Sequence, residues 1–178
     1  MFEIVWDKKE IERCIRECEG DQHFLDFLAP IHIFINGEKI TKSDEIRGRV
    51  KSNLWDLSLN WLFVLKSIDP EKLGYMEFHY SSNVKNEVSG WDFNIFLDHN
   101  KETDILTLRY KDHSLNEYRT FEIPLKDYIV GVLQANTSLI EFIGKVAHGR
   151  EEFGVVQSLI DGTATIDAWY RQRYGIKS

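Results

Sequence analysis

The spacing of apolar positions along the chain switches between two periods. Phe2 to Trp6 reads as a short strand, and Asp7 stands where a helix cap belongs. Ile11, Cys14, Ile15 and Cys18 then recur at helical spacing, predicting a helix to about Cys18 that Gly20-Asp21 ends. Phe24, Leu25, Phe27 and Leu28 make a second apolar patch before Pro30. Ile31–Ile35, Asn36-Gly37 and Glu38–Thr41 together predict a β-hairpin, because Asn and Gly both tolerate the positive φ of a type I′ turn. From Thr41 or Ser43, with Asp44 and Glu45 in the first turn, a second helix is expected. Its stripe is Ile46, Val50, Leu54, Leu57, Trp61, Val64, Leu65 and Ile68, unbroken until Asp69-Pro70. Trp55, Leu59, Leu62 and Phe63 widen that stripe, so the helix should be covered on two sides.

Between Gly74 and Pro124 the period falls to two. Four alternating runs, 75–81, 91–98, 103–110 and 118–123, predict an antiparallel meander. Matching their apolar sets sets the register, since a slip of one residue turns a strand inside out. The expected pairs are Tyr80 with Trp91, Phe78 with Phe93, Met76 with Ile95, Trp91 with Tyr110, Phe93 with Leu108, Ile95 with Leu106, Leu108 with Phe121 and Leu106 with Ile123. A turn is expected at His99–Glu102. One face is then apolar, and the other carries the rows His79, Asp92, Arg109, Thr120 and Glu77, Asn94, Thr107, Glu122. Tyr75, Phe96 and Ile105 extend that second face as an apolar patch. After Pro124 the helical period returns, over Asp127 to about His148 with a weak stretch at Asn136-Thr137-Ser138, and again from Glu151 to Tyr174. Asp161-Gly162-Thr163 is expected to divide the last run into two short helices. The fold class is α+β: a meander of about four strands plus an N-terminal hairpin, packed on one face by long amphipathic helices, in one domain over 1–178.

Composition narrows the function. The chain has 178 residues, 43% hydrophobic and 13% aromatic, which excludes a disordered or collagen-like chain. Its net charge of −7 argues against a general binder of nucleic-acid backbone. No run approaches the ~18 uninterrupted apolar residues of a membrane span, and the first residues carry no secretory pattern. The two cysteines, Cys14 and Cys18, lie four apart on one helix face, a poor geometry for a disulfide. With His23 they match no standard zinc spacing, so both are expected to pack beside Ile11 and Ile15 in a reducing cytoplasm.

Catalytic and cofactor signatures are missing. No Walker loop, G-x-G-x-x-G, G-x-S-x-G or H-E-x-x-H occurs, and the six histidines make no ligand set, so no cofactor, metal or catalytic residue is assigned. Asp98-His99 and Asp112-His113 read as polar residues at hairpin ends. The row His79, Asp92, Arg109 admits a small-hydrolase reading, with the carboxylate orienting an imidazole base. Opposite charges on a solvated sheet face are the simpler expectation, since nothing in the sequence encloses the row in a pocket. The tail Trp169-Tyr170-Arg171-Gln172-Arg173-Tyr174 interleaves aromatics with arginines, and so admits base stacking. A helix that buries the rings and turns the arginines outward is the simpler expectation.

The layout of a Trp-rich helix, a meander, and Phe121-Glu122-Ile123-Pro124-Leu125-Lys126-Asp127-Tyr128-Ile129-Val130-Gly131-Val132-Leu133 leading into a long helix resembles small bacterial immunity proteins of polymorphic and contact-dependent toxin systems. That resemblance implies a cytoplasmic, non-catalytic inhibitor whose partner is a cognate toxin, commonly a nuclease. Charge patterning adds that an acidic surface would suit a basic partner. The expected contact surface is the open sheet face and its rim, with Glu77, Asp92, Phe96, Asp98, Asp104 and Glu122.

Overall fold

The computed structural model describes residues 1–17, 27–41, 51–74, 86–147 and 154–176. In chain order the elements are β1 (Phe2–Trp6), α1 (Lys8–Glu17), β2 (Leu28–Ile35), β3 (Glu38–Lys39), β4 (Lys51–Asn53) and α2 (Leu54–Phe63). A 3₁₀ segment (Val64–Ser67) and α3 (Pro70–Leu73) follow, then β5 (Glu87–Ser89), β6 (Phe93–Asn100), β7 (Ile105–Asp112) and β8 (Glu117–Pro124), and finally α4 (Leu125–Val146) and α5 (Gly154–Tyr174). The fold is α+β, with two antiparallel sheets. In the first, β2 is flanked by β1 on one edge and by β3 and β4 on the other. The second runs β5-β6-β7-β8.

Local chemistry accounts for the early elements. The Asp7 carboxylate accepts hydrogen bonds from the N–H groups of Lys9 and Glu10, both at 3.1 Å, which satisfies two donors at the start of α1. Asn36 and Gly37 take φ of 52° and 81°, closing the expected type I′ hairpin. Cys14 is half-buried beside the buried Ile11 and Ile15, whereas Cys18 and His23 lie outside the described residues.

Three expectations about the elements need correction and one is extended. The long helix from Thr41 does not run unbroken, because Lys51–Asn53 is strand β4, paired with Leu28–Pro30. Its backbone satisfies the end of β2, and the helix begins only at Leu54, whose N–H bonds to the Phe27 carbonyl at 3.0 Å. Asp69-Pro70 does more than stop a helix: Asp69 caps α3 and Pro70 opens it. The weak stretch of α4 is continuous, since Asn136 is buried and donates to the Ser58 carbonyl of α2 at 3.1 Å. Asp161-Gly162-Thr163 does not divide α5, which is continuous over Gly154–Tyr174; the buried Thr163 satisfies its hydroxyl on the Leu159 carbonyl at 2.7 Å.

Register in the second sheet is part right and part shifted. Leu106 faces Ile123 and Leu108 faces Phe121, as expected. Ile95, however, faces Tyr110 rather than Leu106, a shift of four residues, and β6 continues to Asn100. The turn therefore moves to 101–104. Asn100 Oδ1 accepts from the N–H groups of Glu102 and Thr103, and Asp104 takes a φ of 56°. An even shift leaves every side chain on its expected face. On the other side of β6, Val88 faces Ile95 where Met76 was expected; the run 75–81 lies outside the described residues. Trp91 is likewise not paired with Tyr110. Ser89 faces Asn94, and the Gly90 N–H bonds to the Phe93 carbonyl at 2.8 Å, so Trp91 and Asp92 form the tip of a tight β5–β6 hairpin.

The core lies between the sheets and the helices. Phe93, Ile95, Leu97, Leu106, Leu108, Tyr110 and Ile123 are buried on one face of the second sheet. Helix α4 packs against β1, and α5 packs against α4 and α2. The Trp169 indole N–H bonds to the Asp69 carboxylate at 2.9 Å, tying α5 to α3. By length and composition alone α4 is apolar enough to cross a membrane; here Leu125, Tyr128, Ile129, Val132, Leu139 and Ile143 are buried in the chain's own core. The closest approach in this packing is at Gly131, where a Cβ would come 2.1 Å from the Phe2 carbonyl oxygen. Gly131→Ala is therefore expected to destabilise the fold by about 1–3 kcal/mol, the usual cost of overpacking. Gly144→Ala, on the same helix with no heavy atom within 4 Å of the added carbon, is expected to stabilise by up to ~1 kcal/mol. Urea unfolding of the two variants measures both signs.

Candidate functional site

The second sheet presents its outer face through alternate residues of each strand. Hydrogen-bond register places them in rows: Ser89, Asn94, Lys111, Tyr118; then Glu87, Phe96, Arg109, Thr120; then Asp98, Thr107, Glu122. The even side chains of β8, Tyr118, Thr120 and Glu122, are all exposed, as are Asp98 and Arg109. Most of the inner-face side chains are buried, whereas those of this face are exposed or half-buried.

Two aromatic rings on the face carry cations. The Arg109 guanidinium lies 5.7 Å from the Phe96 ring centroid, and Lys111 Nζ lies 5.3 Å from that of Tyr118. Each contact contributes about 0.5–1 kcal/mol at an exposed site and keeps a flat aromatic patch in place. Glu87, Asn94 and His113 form a side-chain chain across the strands near the hairpin tip. Beyond it Trp91 is 70% exposed, and Tyr118 is 65% exposed. At the other end Asp98 and Glu122 flank Thr107, and neither carboxylate has an ion-pair partner among the described residues.

The expected site residues separate on this framework. Phe96, Asp98 and Glu122 share the outer face. Asp92 sits at the hairpin tip, with its carbonyl accepting from the His113 N–H at 3.0 Å. Glu77 and His79 lie outside the described residues. Asp92 is not opposite Arg109, whose partner in β6 is Phe96, so that half of the expected row is not formed. The exposed Trp91 and Tyr118 were not among the expected contacts. Gly90 was the available signal for Trp91, since any Cβ there would run into the Phe93 ring at 2.4 Å and glycine marks the bend.

Asp104 is the clearest correction. It does not offer a free carboxylate at the rim. Its Oδ1 receives His99 Nε2 at 2.9 Å and Arg173 Nη2 at 2.7 Å, and its Oδ2 accepts from the Tyr174 hydroxyl at 2.7 Å. Burial alone would raise the Asp104 pKa, but the hydrogen bonds from Tyr174, Arg173 and His99 outweigh it and hold the carboxyl below its ordinary value. Burial, reinforced by the hydrogen bond to Asp104, pushes the Tyr174 phenol up to about 12. The cluster clamps the end of α5 to the β6–β7 turn. It also removes the stacking surface of the tail: Trp169 and Tyr170 are buried, Arg173 is held by Asp104, and Arg171 pairs with Asp167 at 2.7 Å. The Asp98-His99 and Asp112-His113 pairs stand at opposite ends of β6 and β7. Asp112 is buried, accepting from Tyr110, Ser114 and Leu115.

No family model, curated protein or solved structure matches this chain, so function is argued from its own surface.

The clamp has two pH limits of opposite sign. A carboxyl whose folded pKa is depressed stabilises fully above its unfolded pKa and loses that contribution as pH falls through the folded value. A phenol raised to about 12 stabilises fully below its ordinary value near 10 and loses that contribution as pH rises through 12. The stability gap between the wild type and Asp104→Asn is thus expected to be widest from neutral pH to the ordinary carboxylate range and to narrow in stronger acid. The gap to Tyr174→Phe is expected to narrow at both extremes, in acid because the hydroxyl helps to hold the Asp104 carboxyl down and in alkali because the phenol itself ionises. Chemical unfolding across pH checks both; a gap to Asp104→Asn that is flat into strong acid would show the clamp to be inert.

Proposed function

We propose that this protein is a non-catalytic binding protein that grips another protein with the outer face of β5–β8, and that it serves as an immunity protein neutralising a cognate toxin domain of basic character. One observation carries the reading: a sheet face whose side chains are exposed or half-buried, with ordered aromatics at its centre and rim and two unpaired carboxylates at one end. Aromatic anchors surrounded by polar groups are the composition of an energetic centre in protein interfaces. The chain's net charge of −7 adds long-range attraction toward a basic domain, which speeds encounter. Binding suits this face better than chemistry, because its described polar groups are spread over exposed rows, with Asp92 at the hairpin tip and Arg109 opposite Phe96. Cytoplasmic residence belongs to this reading, as the place where an incoming toxin domain would be met.

The test begins with a partner recovered by co-purification from the native cell and identified by mass spectrometry, followed by kinetics on the purified pair. Trp91→Ala is expected to weaken binding by at least tenfold, mainly through faster dissociation. Asp98→Lys together with Glu122→Lys is expected to slow association severalfold and to flatten its dependence on salt. Co-expression with the partner separates inhibition from mere binding, since growth should be protected by the wild type and lost with the triple variant. Unchanged rates in all three variants would move the site elsewhere on the molecule.

A further inference from the structure

The free edge of β8 has geometry of its own. The Leu125 N–H bonds to the Asp104 carbonyl at 2.9 Å, which places 104 and 125 in a hydrogen-bonded pair and sets the alternation for the whole strand. Residues 119, 121 and 123 therefore spend their backbone groups on β7, while the N–H and C=O groups of Tyr118, Thr120 and Glu122 point away from the sheet. No hydrogen bond to them exists among the described residues, and β8 is the last strand of its sheet. Two of the core-side residues of this strand, Arg119 and Phe121, are partly exposed, whereas Ile123 is buried.

The geometry points to a second copy of this chain as the occupant of that edge, joined by antiparallel β8–β8 pairing about a two-fold axis through Thr120. Self-pairing of this kind is isologous, so the strand must complement itself read backwards. Centred on Thr120, it does. Each of the facing pairs Tyr118 with Glu122, Thr120 with Thr120 and Glu122 with Tyr118 exchanges two backbone hydrogen bonds. On the outer face, Glu122 meets the Tyr118 of the second copy together with the Lys111 stacked on that ring, an opposite-charge contact. On the core side, Arg119, stacked on Phe121 of its own chain at 4.9 Å and paired with Glu38 of β3 at 2.5 Å, faces the half-exposed Phe121 of the second copy. The neighbouring registers are worse. Centring on Arg119 sets two guanidinium groups directly opposite each other, and centring on Phe121 sets Tyr118 against Pro124, which has no N–H to give. The charges that keep β8 soluble as an edge are thus the ones that choose its pairing.

This inference is independent of the partner-binding face and is tested without any partner. Purified full-length chain is followed by light scattering and sedimentation from about 1 µM to about 1 mM, because one strand pair buries less than the ~1,600 Å² of a standard interface. The expected result is a mass rising from one chain to two. Thr120→Lys sets like charges opposite each other at the axis, and Thr120→Pro removes an N–H that β7 does not use. Each is expected to raise the dimer dissociation constant at least tenfold, with circular dichroism unchanged. Thr107→Lys, on the same face but one strand inward, is expected to dimerise as the wild type does. A single-chain mass throughout the range would overturn the proposal. So would wild-type dimerisation in Thr120→Lys, which stands even if the proline variant fails to fold.

Discussion

Three rings decide how this molecule is arranged. Phe2 of β1, Trp61 of α2 and Tyr128 of α4 pack with centroids 4.9, 5.6 and 6.4 Å apart, and the Tyr128 hydroxyl donates to the Trp61 carbonyl at 3.2 Å. Burial pushes that phenol well above its ordinary pKa, so it remains a neutral donor. Gly131, one turn further on, lets the helix backbone settle onto the Phe2 carbonyl. Because α4 leaves β8 without a linker, fixing α4 on β1 also fixes which face of the second sheet is covered. The bare outer face follows from where that helix lands.

Much of the fold was legible because its signals are local. Asp7 and Asn36-Gly37 act within a few residues of themselves, and both did what their chemistry dictates. Which face of each strand is buried was also legible, since alternation alone decides it. Register between β6 and β7 was not. Shifts by an even number of residues leave the same apolar set inside, and the choice fell to the Asn100 side chain and to Asp104 at positive φ, a turn chemistry that alternation does not contain. The same limit explains β4. Lys51-Ser52-Asn53 has no strand signature of its own and is extended because the far end of β2 needs a partner. Tertiary demand overrode local preference there.

The site was legible in part for the same reason. Phe96, Asp98 and Glu122 share a face because strand period puts them there. Asp104 was misplaced because its role depends on residues about seventy positions away, Arg173 and Tyr174, which no pattern within the strand announces. Trp91 looks in sequence like one more apolar residue of an alternating run. It is exposed because Gly90 begins a turn, and its neighbour Phe93 fills the core position instead, stacked on Tyr110 at 5.9 Å. Exposed aromatics are therefore hard to find by apolar counting, which assigns them to the core by default.

Tyr118, Thr120 and Glu122 belong both to the outer face and to the free edge; their backbone groups serve the edge alone, whereas the Glu122 carboxylate would be shared between Lys111 of a second copy and a partner. Side chains leave a sheet along its normal, whereas the unpaired N–H and C=O groups lie in its plane. A second copy added in the plane extends the face instead of covering it, and places two sets of Phe96, Arg109 and Trp91 on one continuous surface. A partner that is itself two-fold, or that carries two contact points within reach, would then meet the second set at high effective concentration. Pairing through β8 would also hold Tyr118 and Glu122 in place before any partner arrives, so less of their side-chain freedom is lost on binding. On these two proposals the edge and the face act as one device, in which the backbone of β8 would set the assembly and its side chains what the assembly recognises.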